Sequence, residues 1–290
     1  MPYSAVYPNP KKPDFKLPSH ACDAHCHVFG PAKHFPYARE RKYTPIDAPK
    51  EKLFALHQHL GFERSVLVQA SCHGTDNSAM LDMLKAGEGR YRGVAIVGSD
   101  ISDEELLTMH HAGVRGIRFN FVKRLVDIKP VEYYQTLAKR IAKLDWHVVA
   151  YFESQQLADL EELLKDLQVP LVIDHMGRPD INKGIAGHDF QRICNLLSDH
   201  PNTWVKVGCH ERLTNQESVG YKDVIPFAKH LVETFSSQVL WGTDWPHPNM
   251  KSHMPDDGAL VDNIPAFAVT KELQKKLLVE NPHRLYEFDD

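Results

Sequence analysis

Two histidines one residue apart, His25-Cys26-His27, can share a divalent cation or turn two ring nitrogens toward a reacting group. Alternate side chains of a strand fall on one face, so both imidazoles would point the same way. Alone the pair is a weak signal, because the chain holds 18 histidines. Its company strengthens it. Gln69-Ala70-Ser71-Cys72-His73 offers a hydroxyl and another imidazole, Arg118 and Asn120 end one apolar run, and Tyr151 with Glu153 ends the next. Asp174-His175 and Arg178 come later, then His210 and Arg212, and finally Gly242-Thr243-Asp244-Trp245-Pro246-His247-Pro248-Asn249. Imidazoles and a carboxylate can move protons, and guanidinium forks can hold an anion.

Each of these groups closes a short apolar run of strand character. The runs are Ala21–Val28, Ser65–Gln69, Gly93–Val97, Gly116–Phe119, His147–Phe152, Leu171–Asp174, Thr203–Val207 and Val239–Gly242. Helical patterns lie between them at Asn77–Lys85, Asp103–His111, Val131–Leu144, Gln156–Leu167, Asp189–Ser198, Asp223–Phe235 and Thr270–Val279. In Gln156–Leu167 the leucines 157, 160, 163, 164 and 167 make one stripe for packing outside a sheet. Asp103 reads as a helix cap and Pro282 as a final helix stop. Alternating strands and helices specify an α/β fold, and no glycine-rich nucleotide loop follows an early strand. The expected architecture is a single (β/α)8 barrel over residues 1–290, slightly elaborated, with an irregular segment at 1–20 and another at His247–Pro265. In such a barrel the downstream strand ends converge on one face, which is where the polar residues above gather.

Composition narrows the partners. A net charge of −4 argues against nucleic acid or a membrane surface, so anion binding must come from local arginines. The five cysteines show no paired CxxC spacing and read as reduced, buried thiols. There is no apolar leader and no membrane-length apolar run, which leads us to expect a cytoplasmic protein. Cys72 beside His73 is a poor nucleophilic dyad, since adjacent strand residues face opposite ways. His247, between two prolines, reads as a structural residue of its turn.

The strings His25-Cys26-His27, Asp174-His175-Met176-Gly177-Arg178 and Trp241-Gly242-Thr243-Asp244-Trp245-Pro246-His247-Pro248 resemble the amidohydrolase superfamily, amidohydrolase-2 branch. Three more, Gln69 to Asn77, Gly116 to Phe121 and Lys123-Arg124-Leu125-Val126, are similar to its 2-pyrone-4,6-dicarboxylate lactonase family. The resemblance covers Cys22 to Tyr286. It implies hydrolysis of a small anionic lactone to 4-oxalomesaconate, in bacterial breakdown of lignin-derived aromatics by protocatechuate 4,5-cleavage. Asp244 would be the base, with His25, His27 and His175 around the lactone carbonyl. Arg118, Arg124, Arg178 and Arg212, with Tyr43, Ser71 and Tyr151, would hold the diacid. The family's metal-binding members need a strand-four lysine or carboxylate and a strand-five histidine, where Arg118 and Tyr151 stand. The expectation is therefore no metal, with a mononuclear site at His25, His27 and Asp244 as the alternative. Within the superfamily the resemblance also admits a sulfomuconolactone hydrolase or a metal-dependent decarboxylase. Outside catalysis the barrel could be a pure anion binder, which would gain nothing from Asp244.

Overall fold

Short apolar runs bury the most surface when they pair in one sheet and the amphipathic stretches pack around it. In the computed structural model, which describes residues 6–216, 220–250 and 253–289, eight strands do this. They are β1 Cys22–Cys26, β2 Arg64–Val68, β3 Tyr91–Ala95, β4 Val114–Asn120, β5 His147–Tyr151, β6 Leu171–Ile173, β7 Thr203–Lys206 and β8 Val239–Leu240. All pair in parallel, in chain order. Backbone bonds then close the ring. Ala24 N–H donates to Trp241 O at 2.9 Å, and Asp244 and His27 donate to His25 O and Trp245 O, both at 2.8 Å. Two glycines allow this close seam: a Cβ on Gly242 would lie 2.3 Å from His25 N, and one on Gly208 2.5 Å from Gly242 O.

Small and β-branched side chains, including Ala24, Val66, Val94, Val149 and Val172, fill the barrel. Tyr286 and Phe288 plug its lower end, where Arg92 Nε donates to Tyr286 O at 3.1 Å. The polar strand ends occupy the other face.

The surrounding helices are α1 Lys50–Leu60, α2 Ser78–Ala86, α3 Asp103–His111, α4 Val131–Ile141, α5 Leu157–Asp166, α6 His188–Asp199 and α7 Ile225–Thr234. Four shorter ones follow: α8 Asp257–Asp262, α9 Ile264–Phe267, α10 Lys271–Lys275 and α11 Asn281–Tyr286. The leucine stripe of α5 packs inward as expected. Other expectations are corrected. The cap of α3 is Ser102, whose Oγ accepts from Glu105 N–H at 3.1 Å while Glu105 returns the bond to Ser102 N–H at 2.8 Å. Pro282 does not stop a helix. It lies in the first turn of α11, where its missing N–H costs nothing, after a π turn at Lys276–Glu280. The stretch His247–Pro265, expected to be irregular, contains α8 and the start of α9. The α1 pattern escaped because its buried stripe, Leu53, Leu56, His57 and Leu60, includes a histidine bound to Asp23 at 3.1 Å. Residues 6–20 form no helix or strand, and the remainder of segment 1–20 lies outside the described residues. All five cysteines are buried and free.

Candidate active site

A cleft opens at the downstream strand ends. It is lined by His27, Tyr43, Ser71, Arg118, Arg124, Tyr151, His175, Arg212 and Asp244, and also by Asn120 and Asn249. Nine of the eleven residues expected from sequence thus meet in one place. The other two stand just behind them. His25 lies under the cleft, its ring centroid 5.0 Å from His27 and 4.7 Å from His175. Arg178 backs Tyr151, donating to its hydroxyl at 3.3 Å.

Asp244 is the centre of the arrangement. One oxygen, Oδ2, is held by Arg212 through Nε at 2.7 Å and Nη2 at 2.6 Å. The other, Oδ1, faces His27 Nε2 at 3.1 Å and His25 Nε2 at 3.5 Å. Burial works against ionisation here, but Arg212, the His27 bond and His175 outweigh it and hold the carboxyl well below the usual range. His27 Nδ1 sits 2.6 Å from Val68 O, so both its nitrogens face acceptors.

A second carboxylate, Asp174, lies deeper. Arg118 donates to its Oδ2 at 2.9 Å, while Lys206 Nζ lies 3.1 Å from Oδ1 and 3.0 Å from His25 Nδ1. Burial opposes the charge of Asp174, yet Lys206, His25 and Arg118 hold its carboxyl well below the ordinary range. Burial, then Lys206, pushes His25 down to about 3. Arg118 also stacks over the Tyr151 ring at 4.9 Å, while Arg124 is half exposed and lies 3.4 Å from Glu153.

The strand ends turn sharply to aim these groups. His175 (φ 52°), Arg178 (φ 52°), Cys209 (φ 63°) and Asp244 (φ 62°) all adopt left-handed backbone without being glycine. Each such residue costs roughly 1–3 kcal/mol, and such strain concentrates where geometry serves function.

Sequence reasoning missed Lys206 and gave Asp174 no role. His247, expected to shape its turn, is buried between two carboxylates. His247 Nε2 meets Asp257 Oδ1 at 2.9 Å and its Nδ1 lies 3.5 Å from Glu211 Oε1, bracing the loop that carries Asp244. Cys72 does not pair with His73, whose Nδ1 meets Pro36 O at 3.2 Å, and burial pushes its thiol up to about 12. Among the described residues His25, His27 and Asp244 form a buried trio whose ligand atoms lie within 4.8 Å of one another.

These environments fix how stability responds to pH. Burial keeps His25 and His175 neutral when folded, whereas an unfolded histidine takes a proton below about pH 6.5. Their contribution is therefore present above that pH and lost as pH falls toward the folded values. Burial opposes the charge on His247, but Asp257 and Glu211 raise it to about 10. Its contribution is full below pH 6.5 and disappears as pH rises through 10. The urea midpoint should peak near neutrality, and His247→Gln should flatten the alkaline side alone. An alkaline side identical in wild type and His247→Gln would contradict this assignment.

Residues 22–288 match a family model described as amidohydrolase. The chain is 57% identical over 287 residues to a 2-pyrone-4,6-dicarboxylate hydrolase of Comamonas testosteroni, covering 97% of this chain and 94% of that one. It is 36% identical over 275 residues to a 4-sulfomuconolactone hydrolase of Hydrogenophaga intermedia, covering 94% and 90%. An Acinetobacter baumannii crystal structure, described as a probable 2-pyrone-4,6-dicarboxylic acid hydrolase with citric acid bound, matches with a TM-score of 0.81. It is 26% identical, with 93% of this chain and 100% of that one covered.

Proposed function

The chain belongs to the amidohydrolase family, and from that premise we infer that it hydrolyses 2-pyrone-4,6-dicarboxylate reversibly to 4-oxalomesaconate, in protocatechuate 4,5-cleavage. What carries the reading is a cleft that sets one ionised carboxylate, Asp244, among Arg118, Arg124 and Arg212, in a chain 57% identical to the Comamonas hydrolase.

Hydrolysis needs an activated water, a polarised carbonyl and a proton for the leaving oxygen. Arg212 pins Asp244 Oδ2, so Oδ1 takes the proton of a water that attacks the lactone carbonyl carbon. The carbonyl oxygen becomes an oxyanion beside His27 and His175, the two rings that line the cleft, and because both His27 nitrogens already face Val68 O and Asp244 Oδ1, His175 is the ring left to donate to it. A well-placed donor in such a hole contributes roughly 3–4 kcal/mol. When the intermediate collapses, the bond from the carbonyl carbon to the ring oxygen breaks. That oxygen leaves as an enolate, Asp244 returns the proton, and the enol relaxes to the ketone. His25, lying under the cleft, serves Asp244 and not the lactone. Arg118 uses Nε and Nη2 on Asp174, at 3.2 and 2.9 Å, and keeps Nη1 for a substrate carboxylate. Arg124, Tyr43, Ser71 and Tyr151 complete the grip on the diacid, with Arg178 steadying Tyr151.

The same proposal is metal-free. The trio His25, His27 and Asp244 does not fit a divalent cation, because it is surrounded by fixed cations. Arg212 already holds Asp244, Lys206 donates to His25, and Arg118 stands on Asp174. A metal would need the Nε2 lone pair of His25, where Lys206 on Nδ1 instead sets an N–H toward Asp244, and it would raise the positive charge of a buried site. A small-molecule partner and a cytoplasmic location belong to this reading, and the buried free thiols suit a reducing compartment. No helix among the described residues is long and apolar enough to cross a membrane.

The test is loss of pyrone absorbance with purified protein, before and after exhaustive chelation, with bound metal measured and 4-sulfomuconolactone tried alongside. Equal turnover of the pyrone after chelation is expected. Turnover of only the sulfonated lactone would overturn the substrate, and activity restored by added zinc would overturn the metal-free step.

A further inference from the structure

Lys206, on β7, is 1% exposed, and no step of the hydrolysis above uses it. An ammonium carries three protons and no lone pair, so toward His25 Nδ1, 3.0 Å away, it can only donate. His25 Nδ1 therefore accepts, and the single proton of the neutral ring sits on Nε2, the atom that faces Asp244 Oδ1 at 3.5 Å. Apart from that carboxylate, His25 Nε2 has no hydrogen-bond partner among the described residues. The ammonium is kept in place by Asp174 Oδ1 at 3.1 Å.

We propose that Lys206 is a positioning residue that makes His25 a donor to Asp244 and so withholds His25, His27 and Asp244 from a metal ion. The proposal rests on the metal-free reading above. Its logic shows in what the barrel would become without the ammonium. Asp174 Oδ1 lies 3.2 Å from His25 Nδ1 and would then receive that ring's proton, freeing the lone pair of Nε2. A carboxylate or backbone carbonyl behind the far nitrogen is the usual support of a metal-ligating histidine. His27 already has one in Val68 O at 2.6 Å. Two ring nitrogens and one carboxylate are enough for an open zinc site. A single charged side chain thus separates a hydrogen-bonding arrangement from a ligating one.

The experiment compares chelated wild type with Lys206→Met and Lys206→Gln, titrating each with zinc chloride by calorimetry and measuring pyrone hydrolysis. The expected result is one zinc bound per chain in the variants, at least about 100-fold tighter than in wild type and lost when His25→Asn is added. With the variants kept free of metal, kcat should fall roughly 10–100-fold and KM change little, because the arginines are untouched. Folded variants with wild-type kcat and no gain in zinc affinity overturn the proposal. Should neither variant fold, the ¹⁵N-histidine spectrum of wild type decides, with the His25 signal identified by its loss in His25→Asn. A proton on Nε2 supports the proposal and a proton on Nδ1 overturns it. Zinc already bound by wild type, with activity lost on chelation, would instead overturn the metal-free reading. A metal-free, active wild type alongside unchanged Lys206 variants would overturn this proposal alone.

Discussion

Asp244→Asn should lower kcat for ring opening by at least about 10³-fold while KM stays within a few-fold of wild type or improves. The amide has the same shape but cannot accept the proton of the attacking water. Substrate affinity should survive because the dianion no longer faces a carboxylate, while Arg118, Arg124 and Arg212 keep their charge. Stability should suffer, since removing one partner of a buried ion pair costs about 3–5 kcal/mol. That loss should fall at the low end, because Arg212 also donates to Pro248 O at 2.8 Å and lies 3.9 Å from Glu211. Steady-state kinetics at a temperature where circular dichroism shows the variant folded would separate the two effects. Residual kcat above about a tenth of wild type would remove Asp244 from the role of base. A pure binding protein, by contrast, would show no turnover in either form.

Arg212→Met should act on the same carboxylate from the other side, and its signature is a moved pH profile. In wild type Arg212 is the main group overcoming the burial of Asp244. Without it, burial goes unopposed by its strongest partner and the carboxyl titrates upward. The base is active only when ionised, so activity must fall on the acid side and recover as pH rises. The acid limb of kcat/KM should move to higher pH. At pH 7 the loss should be on the order of 10²–10³-fold, comparable to removal of one preorganised charge-stabilising group. KM should rise as well, since Arg212 lines the cleft. Lysine at this position should rescue the acid limb only in part, because a point charge cannot match the fork that Arg212 makes with Nε and Nη2. An acid limb that stays where wild type has it would show that Arg212 does not hold the charge of Asp244.

The barrel was legible in the amino-acid sequence because strand alternation and helical periodicity are local properties. Every strand expected from an apolar run is present, and His25 and His27, though His27 lies just past β1, both face Asp244 Oδ1. The polar residues that end those runs meet in the cleft for the same reason: parallel strands in one barrel all finish on one side. Alternation gives the face of a side chain and not its depth, so His25 and His27 looked alike, although only His27 reaches the cleft. Arg178 follows β6 as expected, yet the left-handed turns at His175, Met176 and Arg178 carry it behind Tyr151. Nothing local marks Lys206. In the run Thr203–Val207 it reads as one polar residue on a strand, and its buried charge is tolerable only because Asp174 arrives from the neighbouring strand. The residue types and their strand ends were set by the chain alone. Which nitrogen of His25 carries a proton, and which cation stands against each carboxylate, was decided only when distant strands brought these groups together in the buried interior, where burial strengthens each pairing.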